Sequence, residues 1–242
     1  EEILGLGAAR ARSPYQGFHW VQDHPGAIDR LFLWTRGQPF FLRFAIFTRL
    51  LLAAGFIPTG LVKLLGHRFT QISPDNPIGA FFEALFQTGL YWRFLGATQV
   101  LAGLLLLWPR FAHLGAAIFF GVILNIFVVT VSLAFRGTPI VTGLMLLAVV
   151  YLCFYDFHRF RPMFTTRPLD APVPVQRLDR WEVAGFACFG ASLVLFFFVV
   201  RGSLPTTLTI PSVVAGFGAG LFTLGRFVWT TLRGPRAPAR VA

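Results

Sequence analysis

The sequence predicts an all-α fold, a polytopic integral membrane bundle of six transmembrane helices: a four-helix core followed by a C-terminal helical hairpin. Two observations carry that prediction. The 242 residues are 55% hydrophobic and only 13% charged, against about 25% charged residues in a soluble domain. Six continuous apolar runs are spaced along the chain, each able to cross a hydrocarbon layer of about 30 Å at about 1.5 Å per helical residue. Membrane-barrel strands would alternate over about ten residues instead. Six wholly apolar helices in a soluble protein would need a polar shell that this composition lacks.

Residues 1–39 read as a polar cytoplasmic tail containing Pro14, Pro25 and Pro39. Within it, Ile28–Trp34 forms a short interfacial helix that sets Leu31, Phe32 and Trp34 against lipid or protein. Glu1 and Glu2 stand where a basic n-region would, and no apolar run follows them, so no signal peptide is expected. The spans are Phe40–Leu64, Leu90–Trp108, Phe111–Phe135, Pro139–Phe157, Val183–Val200 and Pro211–Leu232. Trp108-Pro109-Arg110 and Arg136-Gly137-Thr138-Pro139 are tight turns, which make the second, third and fourth spans antiparallel neighbours; Pro139 suits a first helical turn. Between the first two spans, Ile78–Gln87 reads as an interfacial helix carrying Glu83, with Phe82 and Phe86 as i, i+4 neighbours. The core is thus 40–157, a basic Pro-rich cytoplasmic linker occupies 158–181, the hairpin 182–232, and a cytoplasmic tail 233–242.

Charge sets the orientation. Of 21 Lys and Arg, fourteen arginines fall in the segments on the side of the N-terminal tail and five cations on the other, Lys63, Arg68, Arg93, Arg136 and Arg201. The positive-inside rule places both termini in the cytoplasm of a bacterium, the chain being multi-pass in the inner membrane. The net charge of +11 is read as topology, because the arginines flank apolar runs; no nucleic-acid partner is expected. The six tryptophans lie in tails or near span ends, as in an interfacial belt.

Ionisable and amide side chains inside apolar runs are the candidate functional groups, since they are costly there. Arg49 lies about 14 Å into the first span. It either bonds neighbouring carbonyls or snorkels, or it meets an anion or a quinone carbonyl. Gln99 and Asn125, in the second and third spans, serve interhelical hydrogen bonds or a ligand. Lys63, Glu83 and Arg93 form either ordinary interfacial charges or the mouth of a site for an anionic solute. Asp156 reads as a surface ion pair with Arg159 and Arg161, and Arg226 as a snorkelling arginine. Pro58 predicts a kink in the first span. Gly216 and Gly220 form a GxxxG element, for an internal contact or a subunit interface. Cys153 and Cys188 read as buried structural thiols. His67, His113 and His158 read as interfacial histidines. No HExxH, paired CxxC, Walker loop or GxSxG element is present, so no metal and no intrinsic cofactor are expected.

Several segments of the core occur in a familiar order: residues 56–66 (Phe56-Ile57-Pro58-Thr59-Gly60-Leu61-Val62-Lys63-Leu64-Leu65-Gly66), Asn76-Pro77-Ile78-Gly79, Tyr91-Trp92-Arg93-Phe94-Leu95-Gly96, Gln99-Val100-Leu101-Ala102-Gly103, Leu124-Asn125-Ile126, Gly137-Thr138-Pro139 and Tyr155-Asp156. The series resembles the DoxX-like membrane proteins over about residues 40–157. The resemblance implies a four-helix membrane bundle, and some members of that family are associated with thiosulfate:quinone oxidoreduction. The N-terminal tail and the last two spans lie outside it.

The expected function is that of a non-catalytic integral subunit of a larger inner-membrane complex, bioenergetic in kind (respiratory or photosynthetic electron transfer). It would scaffold helices and shape a quinone path, with quinone or lipid bound and with membrane lipids and other integral subunits as partners. The alternative is a DoxX-like quinone-linked oxidoreductase subunit acting on thiosulfate or a similar sulfur oxyanion near Arg49, Gln99 and Asn125. A small-solute transporter, the third reading, finds neither an internal repeat nor a charged relay in the sequence.

Overall fold

The computed structural model describes residues 26–164, 178–200 and 205–232. Most of the N-terminal tail with Trp20, most of the linker and the C-terminal tail lie outside the described residues. So do Arg10, Arg12, Arg167, Arg177, Arg201, Arg233, Arg236 and Arg240. Among the described residues there is no strand. The α-helices are α1 (Ala27–Gly37), α2 (Pro39–Leu64), α3 (Pro77–Gln87), α4 (Leu90–Leu107), α5 (Ala112–Ser132), α6 (Thr138–Tyr155), α7 (Phe157–Phe160), α8 (Arg180–Val200) and α9 (Thr209–Leu232). Six of them, α2, α4, α5, α6, α8 and α9, are long and apolar enough to cross a membrane. Large apolar side chains such as Leu104, Leu147, Ile210 and Leu221 are more than half exposed. That is an outer surface suited to acyl chains rather than water.

Helix ends follow local chemistry. Pro39 and Pro77 occupy first-turn positions of α2 and α3, where a missing N–H costs nothing. The side-chain oxygen of Asn76 caps α3 by accepting from the Ile78 amide at 2.9 Å. Gly137 takes φ +77° ahead of α6, a left-handed conformation that glycine adopts without strain. The fourth span is shorter than expected: α6 stops at Tyr155, because Asp156 leaves helical geometry (φ −101°, ψ 19°) before Phe157 opens α7.

Helix α2 is the centre of the bundle, packing on α4, α6, α8 and α9, while α4, α5 and α6 follow as antiparallel neighbours. The core is a buried seam of Leu52, Phe56, Leu106, Phe119, Ile123, Val149 and Leu152, with the Phe56 and Phe119 rings stacked. Helix α1 lies across the end of the bundle. Its Phe32 is fully buried against Phe154, Phe157 and His158, whereas Leu31 and Trp34 are exposed. The Tyr151 hydroxyl on α6 donates to the Phe41 carbonyl of α2 at 2.7 Å.

The α8–α9 hairpin is joined to α2 by a buried ion pair. Glu182 and Arg43 are both about 5% exposed in the interior. Arg43 Nη2 donates to Glu182 Oε2 at 2.9 Å, Nε donates to Oε1, and the guanidinium lies 3.9 Å over the Phe227 ring. The GxxxG glycines serve this internal seam rather than a free face. A Cβ on Gly216 would meet Ser192, and one on Gly220 would meet Phe47 and Phe189. The expected burial of both thiols is corrected: Cys153 is only half-buried, and Cys188 faces outward, because the seam side of α8 is taken by Gly185, Phe189 and Ser192.

Removing one member of a buried pair strands the other charge. Glu182→Gln should lower unfolding stability in detergent by about 3–5 kcal/mol. The Arg43→Met, Glu182→Met double variant should recover most of that loss. Equal losses in single and double variants would count against the pair.

Candidate functional site

A cleft of about 740 Å³ opens between α2, α3, α4, α5 and α6, within the size range of small-molecule sites. Beside it α2 and α4 cross at close range. A Cβ on Gly60 would sit 2.8 Å from the Gly96 carbonyl, and one on Gly96 would overlap the Leu64 amide and the Gly60 carbonyl. Only glycine lets the two backbones approach this closely. Each long polar side chain sits opposite a glycine of the facing helix, Gln99 against Gly60 and Lys63 against Gly96.

The Lys63 ammonium turns back along α2 into the cleft. It donates to the Gln99 Oε1 at 2.9 Å and to the Thr59 carbonyl at 3.2 Å. Its Nζ lies 4.3 Å from the Phe69 ring centroid and 5.6 Å from that of Trp92. Trp92 is held in turn by its indole N–H, which donates to the His67 carbonyl at 3.0 Å. Lys63 is 5% exposed and Gln99 2%, and among the described residues no carboxylate pairs with Lys63. The walls are aromatic: Phe81 and Phe82 from α3, Tyr91 and Phe94 from α4. On the far wall lie Asn125, Thr130 and Thr142. The two threonine hydroxyls are 3.1 Å apart. Asn125 is exposed and makes no side-chain hydrogen bond among the described residues.

Lys63, Gln99 and Asn125 therefore line one cleft, but Arg49 does not join them. It is fourteen residues before Lys63 on α2, about 21 Å along the helix, and its Nη2 donates to Asp156 Oδ2 at 2.6 Å. The expected Asp156 pairing with Arg159 and Arg161 is corrected in the same place. Asp156 is buried between Arg49 and Arg36, whose Nη1 is 3.3 Å from Oδ1. Arg159 instead donates to the Arg110 carbonyl, and Arg161 to Asp29. The reason is geometric: Asp156 closes α6 on the face toward α2, while α7 and the turn after it direct Arg159 and Arg161 to other partners. Arg226 reaches Asp179 at 2.9 Å and lies near the Trp181 ring.

The expected mouth of Lys63, Glu83 and Arg93 is divided. Glu83 forms a two-bond pair with Arg68, at 2.8 and 2.9 Å, which holds its carboxyl below the ordinary range. It lines a separate hollow of about 240 Å³. Arg93 is exposed beside Gly66. Arg36, read only as a topology signal, is a site residue that sequence reasoning missed; its place near the start of the first span was the available clue.

Among known proteins, the uncharacterized protein YwoB of Bacillus subtilis (strain 168) is 32% identical over 135 residues, covering 53% of this chain and 87% of YwoB. The chain belongs to the family of YwoB. Nearly all of YwoB thus matches about half of the chain. No family model and no solved structure matches the chain.

Two outcomes test this geometry. Gly96→Val should force α2 and α4 apart and cost at least about 1–3 kcal/mol, as overpacking does; unchanged unfolding stability would contradict the close crossing. His158, outside the spans, is held neutral down to about pH 4 by desolvation and by Arg36. Its contribution is complete above about pH 6.5, the ordinary value, and is lost as pH falls toward 4, where the unfolded chain binds the proton first. The melting temperature of the native protein should fall over that window more than that of His158→Gln.

Proposed function

We propose that the protein is a non-catalytic integral subunit of a larger bacterial inner-membrane complex, bioenergetic in kind, which holds a quinone-type amphiphile in the α2–α6 cleft. Both termini are cytoplasmic in this reading. The observation that carries it is the Lys63 ammonium, buried without a carboxylate among the described residues at the polar end of an aromatic-walled cleft. An ammonium has three protons to donate. Two are directed at Thr59 and Gln99, leaving one for a carbonyl oxygen of a ligand. The Asn125 amide on the opposite wall supplies a second donor, and Phe69, Phe81 and Phe82 supply flat apolar surface for a ring.

The DoxX-like resemblance supports the same reading. Its segments include Lys63, Gln99 and Asn125, which line the cleft, and Gly60 and Gly96, where α2 and α4 meet. The α8–α9 hairpin, outside that resemblance, supports a role among other subunits. It covers one side of α2 and leaves Val194, Val214, Leu221 and Phe222 exposed, a face that lipid or a neighbouring helix would cover.

Quenching of tryptophan fluorescence by decylubiquinone in mild detergent tests the site. Native protein should bind saturably, and Lys63→Met should weaken binding about tenfold or more, as loss of a charge-assisted bond does. Equal affinity in the two would remove Lys63 from the site. Native electrophoresis from mild detergent should show the chain migrating with other integral proteins. A discrete monomer that reduces quinone with thiosulfate would overturn the non-catalytic reading in favour of an oxidoreductase.

A further inference from the structure

At the basic end of the bundle, remote from the cleft, two largely buried cations share one carboxylate among the described residues. Asp156 is 5% exposed and is shared by Arg36 and Arg49, whose side chains are 12% and 13% exposed. Among the described residues the other acids of this end are paired elsewhere, Asp29 with Arg161, Glu182 with Arg43 and Asp179 with Arg226. The trio therefore carries an excess positive charge in a largely buried setting, where an unmatched charge is costly.

A second observation falls on the same residues. Among the described residues, four polar side-chain atoms are shielded from solvent and lack a hydrogen-bond partner: Arg36 Nε, Arg49 Nε, Tyr155 Oη and His158 Nδ1. All four belong to one cluster. The Arg36 guanidinium lies 4.9 Å from the Tyr155 ring centroid and donates to the Tyr155 carbonyl at 2.9 Å. A guanidinium Nε–H can only donate, and a phenol can donate as well. Buried donors lacking acceptors are rare and costly in native proteins. Missing acceptors and missing negative charge at one place have a common remedy.

We propose that the cluster of Arg36, Arg49 and Tyr155 binds an oxyanion of the phosphate type at the basic membrane face. Such a group supplies both the absent charge and several acceptor oxygens, and arginine suits it because its planar fork matches oxyanion geometry. The partly exposed guanidinium groups give it a path from the interface. The same chemistry is offered by the headgroup of an acidic phospholipid and by free inorganic phosphate.

Delipidated protein in neutral detergent would be titrated with inorganic phosphate and with short-chain phosphatidylglycerol, following the melting temperature. Short-chain phosphatidylcholine and chloride serve as controls. The expected result is a saturable rise with phosphatidylglycerol, phosphate or both, and none with the controls. A response to the lipid alone identifies a headgroup site, and one to phosphate as well identifies a site for the free ion. Tyr155→Phe is the deciding variant, because its hydroxyl has no partner among the described residues. Unliganded stability should be unchanged while anion affinity falls about tenfold, the factor for one charge-assisted hydrogen bond. Arg49→Gln should weaken binding further if it folds. The proposal is overturned if neither anion exceeds the controls, or if Tyr155→Phe binds as tightly as the native chain; water would then be what completes these donors.

Discussion

A cation carried into hydrocarbon has to be met by the protein itself, and α2 carries three of them. Each meets a different part of the molecule. Arg43 takes Glu182 at the start of α8, Arg49 takes Asp156 at the end of α6, and Lys63 takes Gln99 in the middle of α4. These contacts, more than the apolar seam, specify which helix lies beside α2 and at what height. Apolar packing among membrane helices has no hydrophobic force behind it, since acyl chains are as apolar as leucine. A polar contact in that medium has few alternative partners, so it fixes register where leucines would tolerate sliding.

The same three contacts divide the molecule by chemistry. Toward the basic end, α1, α2, α6 and α7 gather charge around one aspartate. Toward the other end, beside the close passage of Gly60 and Gly96, lies a hollow lined with rings, entered by one ammonium and two amides. The two regions lie too far apart along α2 for a single headgroup to touch both. Any ligand of the cleft is consequently recognised without Arg49, and anything bound by Arg49 without Gln99 or Asn125.

The spans were readable because they depend on length and composition, and every one lies within a few residues of where its apolar run predicts. The second interfacial helix, expected at Ile78–Gln87, starts at Pro77 behind an Asn76 cap, a local signal of a side-chain acceptor followed by a residue without an N–H. Rotation about each helix axis was not readable. The low charge content removes the polar stripe that marks the outer face of a soluble helix, so nothing local tells that Gln99 faces Lys63 while Asn125 faces an open wall. Pairing across the chain is hidden for the same reason: sequence proximity points Asp156 to Arg159 and Arg161, whereas its partners, Arg36 and Arg49, are more than a hundred residues earlier. Glu182 did offer a signal. An acid opening an apolar run implies a base at the same depth, and Arg43 occupies that depth at the start of the first span.

The bond between residues 43 and 182 also constrains how the polypeptide is made. Ribosomal synthesis delivers α2 well before α8, so the nascent core enters the bilayer with a guanidinium whose counter-ion does not yet exist. Arg43 lies close to the start of its span, so until the hairpin arrives its guanidinium can reach headgroups for a counter-ion. Its lasting partner comes from a segment outside the DoxX-like resemblance.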